Sequence, residues 1–187
     1  MFKVQHATYM NVSDAEWVEC PPDERVRFAD GIGAISGMTT LDLDRFKWDG
    51  KKEIPNPTWD FPDPATSDSV LMWAYEKLEK RWPNLKDRFL IRKMRWRVSP
   101  SGKGVHVGLH VVVRRTPKAR TYSELDPINV FEVRRALGDD PKRWEYDLRR
   151  ARGDPGSVHG WLADGNRRGT GGGNYEWQTA GPWQKVV

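Results

Sequence analysis

The sequence predicts an α+β domain in which helices pack on a small antiparallel or mixed sheet. Three observations predict it. Two strand-length runs, 88–98 and 105–114, flank a Gly-rich turn. A third run, Thr39 to Asp44, alternates apolar and polar residues. Helical spacing and capping signals mark separate segments after 67 and after 127.

Taken in order, residues 1–30 mix Pro, Asp and Glu with short apolar pieces. Ser13 and Glu16 there have the spacing of a capping box. The stretch 31–46 ends in the Thr-Thr-Leu-Asp-Leu-Asp strand. Residues 47–66 hold four prolines and two tryptophans and read as a loop, a lid or a binding arm. A helix follows over 67–82, capped by Ser67, with Leu71, Ala74, Tyr75, Leu78 and Trp82 on one face. Pro83 and Asn84 end it. The strand at 88–98 carries basic residues on one side, and the strand at 105–114 is more apolar. Asp126 and Pro127 start a second helix that closes at Leu137 and Gly138. Asp139-Asp140-Pro141 starts a third, bearing Arg143, Asp147, Arg149, Arg150 and Arg152. Residues 1–152 form the expected core. Residues 153–187 are rich in Gly, Arg and Trp and are expected to be mobile or to fold on binding.

Composition narrows the function. The chain has 187 residues, 37% apolar and 30% charged, enough for one domain with a modest core. Cys20 is the sole cysteine, which excludes an internal disulfide and a zinc site built on several thiolates. No apolar run reaches membrane-spanning length, and the first residues lack signal-peptide features. The expected setting is therefore the cytoplasm of a cell or of a host cell, with no membrane partner. A net charge of +5 favours polyanions. Ten tryptophans among many arginines suit stacking on unpaired bases while cations hold phosphates. Trp73 and Trp82 fit the helical core face instead. Arg95, Trp96, Arg97, Arg114, Arg115, Arg167 and Arg168 are the candidates for nucleic-acid contact.

Three pieces could carry chemistry. Asp42 and Asp44 are two apart on a strand, so both carboxylates leave one face. Close like charges repel unless a cation lies between them, which suits Mg²⁺ or Mn²⁺; the alternative is a solvated strand end. The second piece is Ser101-Gly102-Lys103-Gly104 followed by His106. Its glycines could admit a phosphate to the backbone N–H groups, with Lys103 adding charge; the alternative is a plain hairpin turn. His110, on the same strand face as His106, reads as structural. The third piece is Asp139 and Asp140, either helix caps or an additional acidic ligand.

Taken together, this order of motifs resembles the archaeo-eukaryotic primase superfamily, which includes primase-polymerases of plasmids and viruses. Asp42 and Asp44 match its first motif. Ser101, Gly102, Gly104 and His106 match its second. Its third is a single Asp on a strand, for which Asp139 and Asp140 are nearest, with Asp126 as an outlier at a predicted helix start. The resemblance spans about Thr40 to Asp140. It implies an RRM-like sheet and a metal-dependent nucleotidyltransferase that adds nucleotides to a 3′ hydroxyl. Asp42, Asp44 and a residue of the Asp139–Asp140 pair would then hold Mg²⁺ or Mn²⁺. His106 would orient a nucleoside triphosphate, with Lys103, Ser101, Gly102 and Gly104 near its phosphates. Arg95 and Arg97 would neutralise further charge. The implied partners are single-stranded or primed nucleic acid, nucleoside triphosphates and a helicase on another chain. A non-catalytic single-strand-binding protein on a similar fold is the alternative. A relaxase-like initiator ranks last, because His106 and His110 are too widely spaced for its His-hydrophobic-His motif.

Overall fold

The computed structural model describes residues 39–114, 116–125, 127–143, 165–170 and 174–187. It is an α+β structure built on a five-stranded antiparallel sheet. The central strand is β5 (Gly104–Arg114), whose residues are almost all buried. On one side it pairs with β4 (Phe89–Val98), through the turn at 99–103. On its other edge it pairs first with β1 (Thr39–Asp44) and, further along, with β6 (Tyr122–Glu124). The short β9 (Gln184–Lys185) adds to the outer edge of β4.

Alternation gives the sheet two unlike faces. Leu41 and Leu43 of β1, with Val105, Val107, Leu109, Val111 and Val113 of β5, are buried in the apolar core. β4 would lose this pattern over ten residues, but a bulge between Ile91 and Lys93 resets it. Ile91 and Met94 therefore both reach the core, and Lys93, Arg95 and Arg97 share the opposite face.

Two helices cover the apolar face. The first, α1 (Ser67–Arg81), buries Val70, Trp73, Ala74 and Leu78, spaced by three and four residues. Its cap is Thr66 rather than the expected Ser67. The Thr66 side chain accepts from the Ser69 N–H, and the Ser69 hydroxyl accepts in turn from the Thr66 N–H. Trp82, fully buried, closes the helix. The second, α2 (Pro127–Ala136), places Val130, Phe131 and Val133 in the same core.

The segment expected as a loop at 47–66 contains a hairpin, β2 (Phe46–Trp48) with β3 (Glu53–Pro55). Asp49 accepts from the N–H groups of Lys51 and Lys52, and Gly50 takes a positive φ of 102°. The rest of the segment is anchored and is no free arm. Phe61 is buried against Trp73 and Trp96, at centroid distances of 5.2 and 5.7 Å. Of the C-terminal segment, expected to be mobile or to fold on binding, the described residues form strands. β7 (Gly165–Thr170) pairs with β8 (Asn174–Thr179), and residues 184–187 hydrogen-bond to β4. The Ser13–Glu16 cap, Asp126, and Asp147 to Arg152 of the third helix lie outside the described residues. Among the described residues no helix is long and apolar enough to cross a membrane.

Candidate functional site

Strand register assembles the site. Residues directly opposite one another on paired strands point to the same face. Asp42 on β1 stands opposite His106 on β5, and His106 stands opposite Arg97 on β4. An acid, an imidazole and a guanidinium thus form one row across three neighbouring strands, on the face away from the helices. One step along the sheet, Asp44 stands opposite Gly104.

Contacts along the row fix its chemistry. Arg97 Nε donates to His106 Nδ1 at 3.3 Å, and both residues are buried. With Nδ1 accepting, the neutral ring carries its proton on Nε2. Nε2 lies 3.7 Å from Asp42 Oδ1, so that proton is on the side of the carboxylate. Burial, and then the charge of Asp44, pushes the Asp42 carboxyl up to about 7; Arg143 opposes the shift. Asp44 is raised as well, by burial first and then by the charge of Asp140. The two carboxylates therefore repel one another and feel Asp140.

Asp139 and Asp140 separate into two roles. The chain at 139–140 runs beside β1: Asp140 N–H donates to Asp42 O at 3.0 Å, and Asp42 N–H donates to Asp139 Oδ1 at 2.7 Å. The Asp139 side chain is fully buried, and its Oδ2 accepts from Arg134 Nε and Nη2 at 2.8 and 2.6 Å. Arg143 Nη1 reaches Asp139 Oδ1 at 3.2 Å and the Thr40 carbonyl at 2.9 Å. Burial raises the pKa of Asp139, while the two guanidiniums act against the rise. Both oxygens of Asp139 are thus committed to holding α2 and the following turn against β1. This corrects its expected place among metal ligands. Asp140 is partly exposed, and its Oδ1 accepts from the Lys142 N–H at 3.2 Å.

The Gly-rich turn is organised by its own bonds. Ser99 N–H donates to Gly104 O, Gly102 N–H to Ser99 O, and Lys103 N–H to Ser101 Oγ. Gly102 has a φ of 69°, which favours glycine. Gly104 lacks a side chain for a different reason: a Cβ there would meet Leu43 O at 2.3 Å. Its function is close approach of β5 to β1. Lys103 Nζ is paired with Glu53 Oε2 at 2.5 Å, across from the β2–β3 hairpin.

The remaining expected contacts scatter. Trp96 faces the helices and packs on Phe61, because the β4 bulge sets its parity opposite to that of Arg95 and Arg97; this corrects its expected role on nucleic acid. Arg114 donates to Asp87 O at 2.7 Å and lies over Tyr122. It is eight strand residues from His106, roughly 27 Å, too far to join the carboxylates. Arg115 lies outside the described residues. Arg167 and Arg168 sit on β7 opposite Trp177 and Glu176. His110 meets Glu124 at 2.8 Å.

Two residues were not expected at the site. Arg143 ties Asp139 to β1; its position four residues after Asp139 was the available signal. Trp183 stacks on Arg95 and Arg97, with guanidinium carbons 4.1 and 4.3 Å from the ring centroid. Among the described residues no three His, Cys, Asp or Glu side chains form a ready-made metal cage. Compared with known proteins, the chain has no significant match to a family model, a curated protein or a solved structure.

Proposed function

We propose that this chain is a metal-dependent nucleotidyltransferase of the primase-polymerase type, acting on single-stranded or primed nucleic acid. The observation that carries the reading is the row Asp42–His106–Arg97, with Asp44 beside it. Helices on one face of an antiparallel sheet and charged groups on the other support an RRM-like reading of the fold.

The donor chemistry fits Mg²⁺ or Mn²⁺. Asp42 and Asp44 offer carboxylate oxygens from one face, and their mutual repulsion is what a divalent cation relieves. Asp140, whose charge acts on both, is the third acid in place of Asp139. Metal held there would supply Lewis-acid stabilisation at an α-phosphate and help ionise a 3′ hydroxyl. The chain's own groups do the rest. His106, with its tautomer set by Arg97, presents an Nε2–H donor beside Asp42 for a phosphate oxygen. Arg97 contributes positive charge one strand away. Lys103, paired with Glu53, would reach a phosphate by exchanging that partner. A helicase on another chain would supply unwound template.

A second reading is a single-strand-binding protein without transfer activity. The lack of a preformed three-ligand cage among the described residues favours it. Mn²⁺- or Mg²⁺-dependent primer extension that is lost in Asp42→Ala/Asp44→Ala separates the two.

A further inference from the structure

The outer edge of the sheet carries a second concentration of charge. β4 and the segment at 183–187 border a groove of about 490 Å³. Arg92, Lys93, Arg95 and Lys185 line it. Arg92 has a carboxylate nearby, Glu124 at 3.5 Å. Lys93, Arg95 and Lys185 make no ion pair among the described residues. Arg95 Nε is buried without a hydrogen-bond partner. A buried donor left unpaired costs free energy, and neighbouring like charges add to that cost. An anion in the groove relieves both.

Trp183 adds a structural reason. Its indole lies on Arg95 and Arg97. Such stacking uses the face of a guanidinium and leaves the in-plane N–H donors for an anion. Met94 and Val187 place apolar surface among the cations. Phosphates together with uncovered bases are the ligand that matches cations together with apolar surface, and a duplex hides its base faces.

We propose that this groove holds the backbone of a single-stranded nucleic acid, with Lys93, Arg95 and Lys185 on phosphates and Trp183 fixing Arg95. The ligand class rests on the nucleic-acid reading above, whereas binding in the groove requires no transfer chemistry. Arg95 is separated from β1 by two strand spacings, about 10 Å. Arg95 is in register with Thr40, so Asp42 lies two residues further along β1 and a strand in the groove passes on the order of 12 Å from it.

The test is fluorescence anisotropy of the full chain with a labelled oligothymidylate of about 20 nucleotides, in EDTA so that metal makes no contribution. The wild type binds in a salt-sensitive manner. Lys93→Ala/Lys185→Ala weakens binding about tenfold or more, and flattens the slope of log K against log salt by roughly 1.4, the loss of two single-strand phosphate contacts. Lys93→Arg/Lys185→Arg keeps the affinity and the slope. Unchanged affinity and slope in the alanine variant, no binding by the wild type, or equal competition by a duplex of the same length would each overturn the proposal. Wild-type binding in the groove without any primer extension removes the transfer reading alone.

Discussion

At the scale of single residues, the two acidic motifs do different work despite similar sequence. Asp139 is a buried strut. Its carboxylate satisfies the fully buried Arg134, Arg143 and the Asp42 N–H. Asp139→Ala removes a buried carboxylate that both Arg134 and Arg143 contact, and breaking a buried pair costs about 3–5 kcal/mol. Thermal melts of this variant should show a large fall in Tm; a Tm within about 1 °C of wild type contradicts the strut. Asp42 behaves oppositely. Its folded pKa of about 7 lies above the 3.8 of the free side chain. The folded state thus binds more protons between those values, and stability falls as pH rises through that window. Below pH 3.8 the contribution is fully present; above about 7 it is lost. In metal-free protein, Asp42→Asn should therefore raise stability at alkaline pH, by something of the order of 3 kcal/mol, and change little in acid. Equal melting of variant and wild type at both pH values would contradict this.

At the scale of elements, β1 was legible from alternation, β5 from its apolar run, and the hairpin of β4 and β5 from the glycines between them. Position 104 is where that pairing is most exposed to mutation. Gly104→Ala places a methyl group within reach of Leu43 O, a backbone atom that moves only with its strand. The expected cost is about 3 kcal/mol, a Tm lower by about 10 °C, with β1 shed from the sheet edge first. Hydrogen exchange at Leu41 and Leu43 that matches wild type would refute it. The β2–β3 hairpin was equally readable, since Asp49-Gly50 is a turn signal, but the four prolines of the segment outweighed it. The β4 bulge was not readable: no Gly marks it, and it alone decides that Trp96 packs inward while Arg95 and Arg97 do not. Likewise β9 offers two polar residues and no strand pattern. It forms because its backbone finds the open edge of β4.

At the scale of the molecule, the sheet separates opposite charges on one face, acids on β1 and cations on β4, with His106 between them. The sequence supplies the ingredients, Asp42, Asp44, His106 and the basic run, but the row exists only through register. A shift of one residue between β1 and β5 would turn Asp42 toward the apolar core, and burial of Leu41 and Leu43 fixes against that shift. The choice between Asp139 and Asp140 turns on local contacts, Arg134 five residues before Asp139 and Arg143 four after it, and only the spacing of Arg143 was a signal the sequence offered. The most direct test of the transfer chemistry is extension of a labelled primer on a single-stranded template, with nucleoside triphosphates and Mg²⁺ or Mn²⁺. Wild-type protein should extend the primer, and Asp42→Ala/Asp44→Ala, folded by its melting curve, should lose extension by a factor of about 100 or more. Equal extension by the wild type and the double variant, or none by either, would contradict the account.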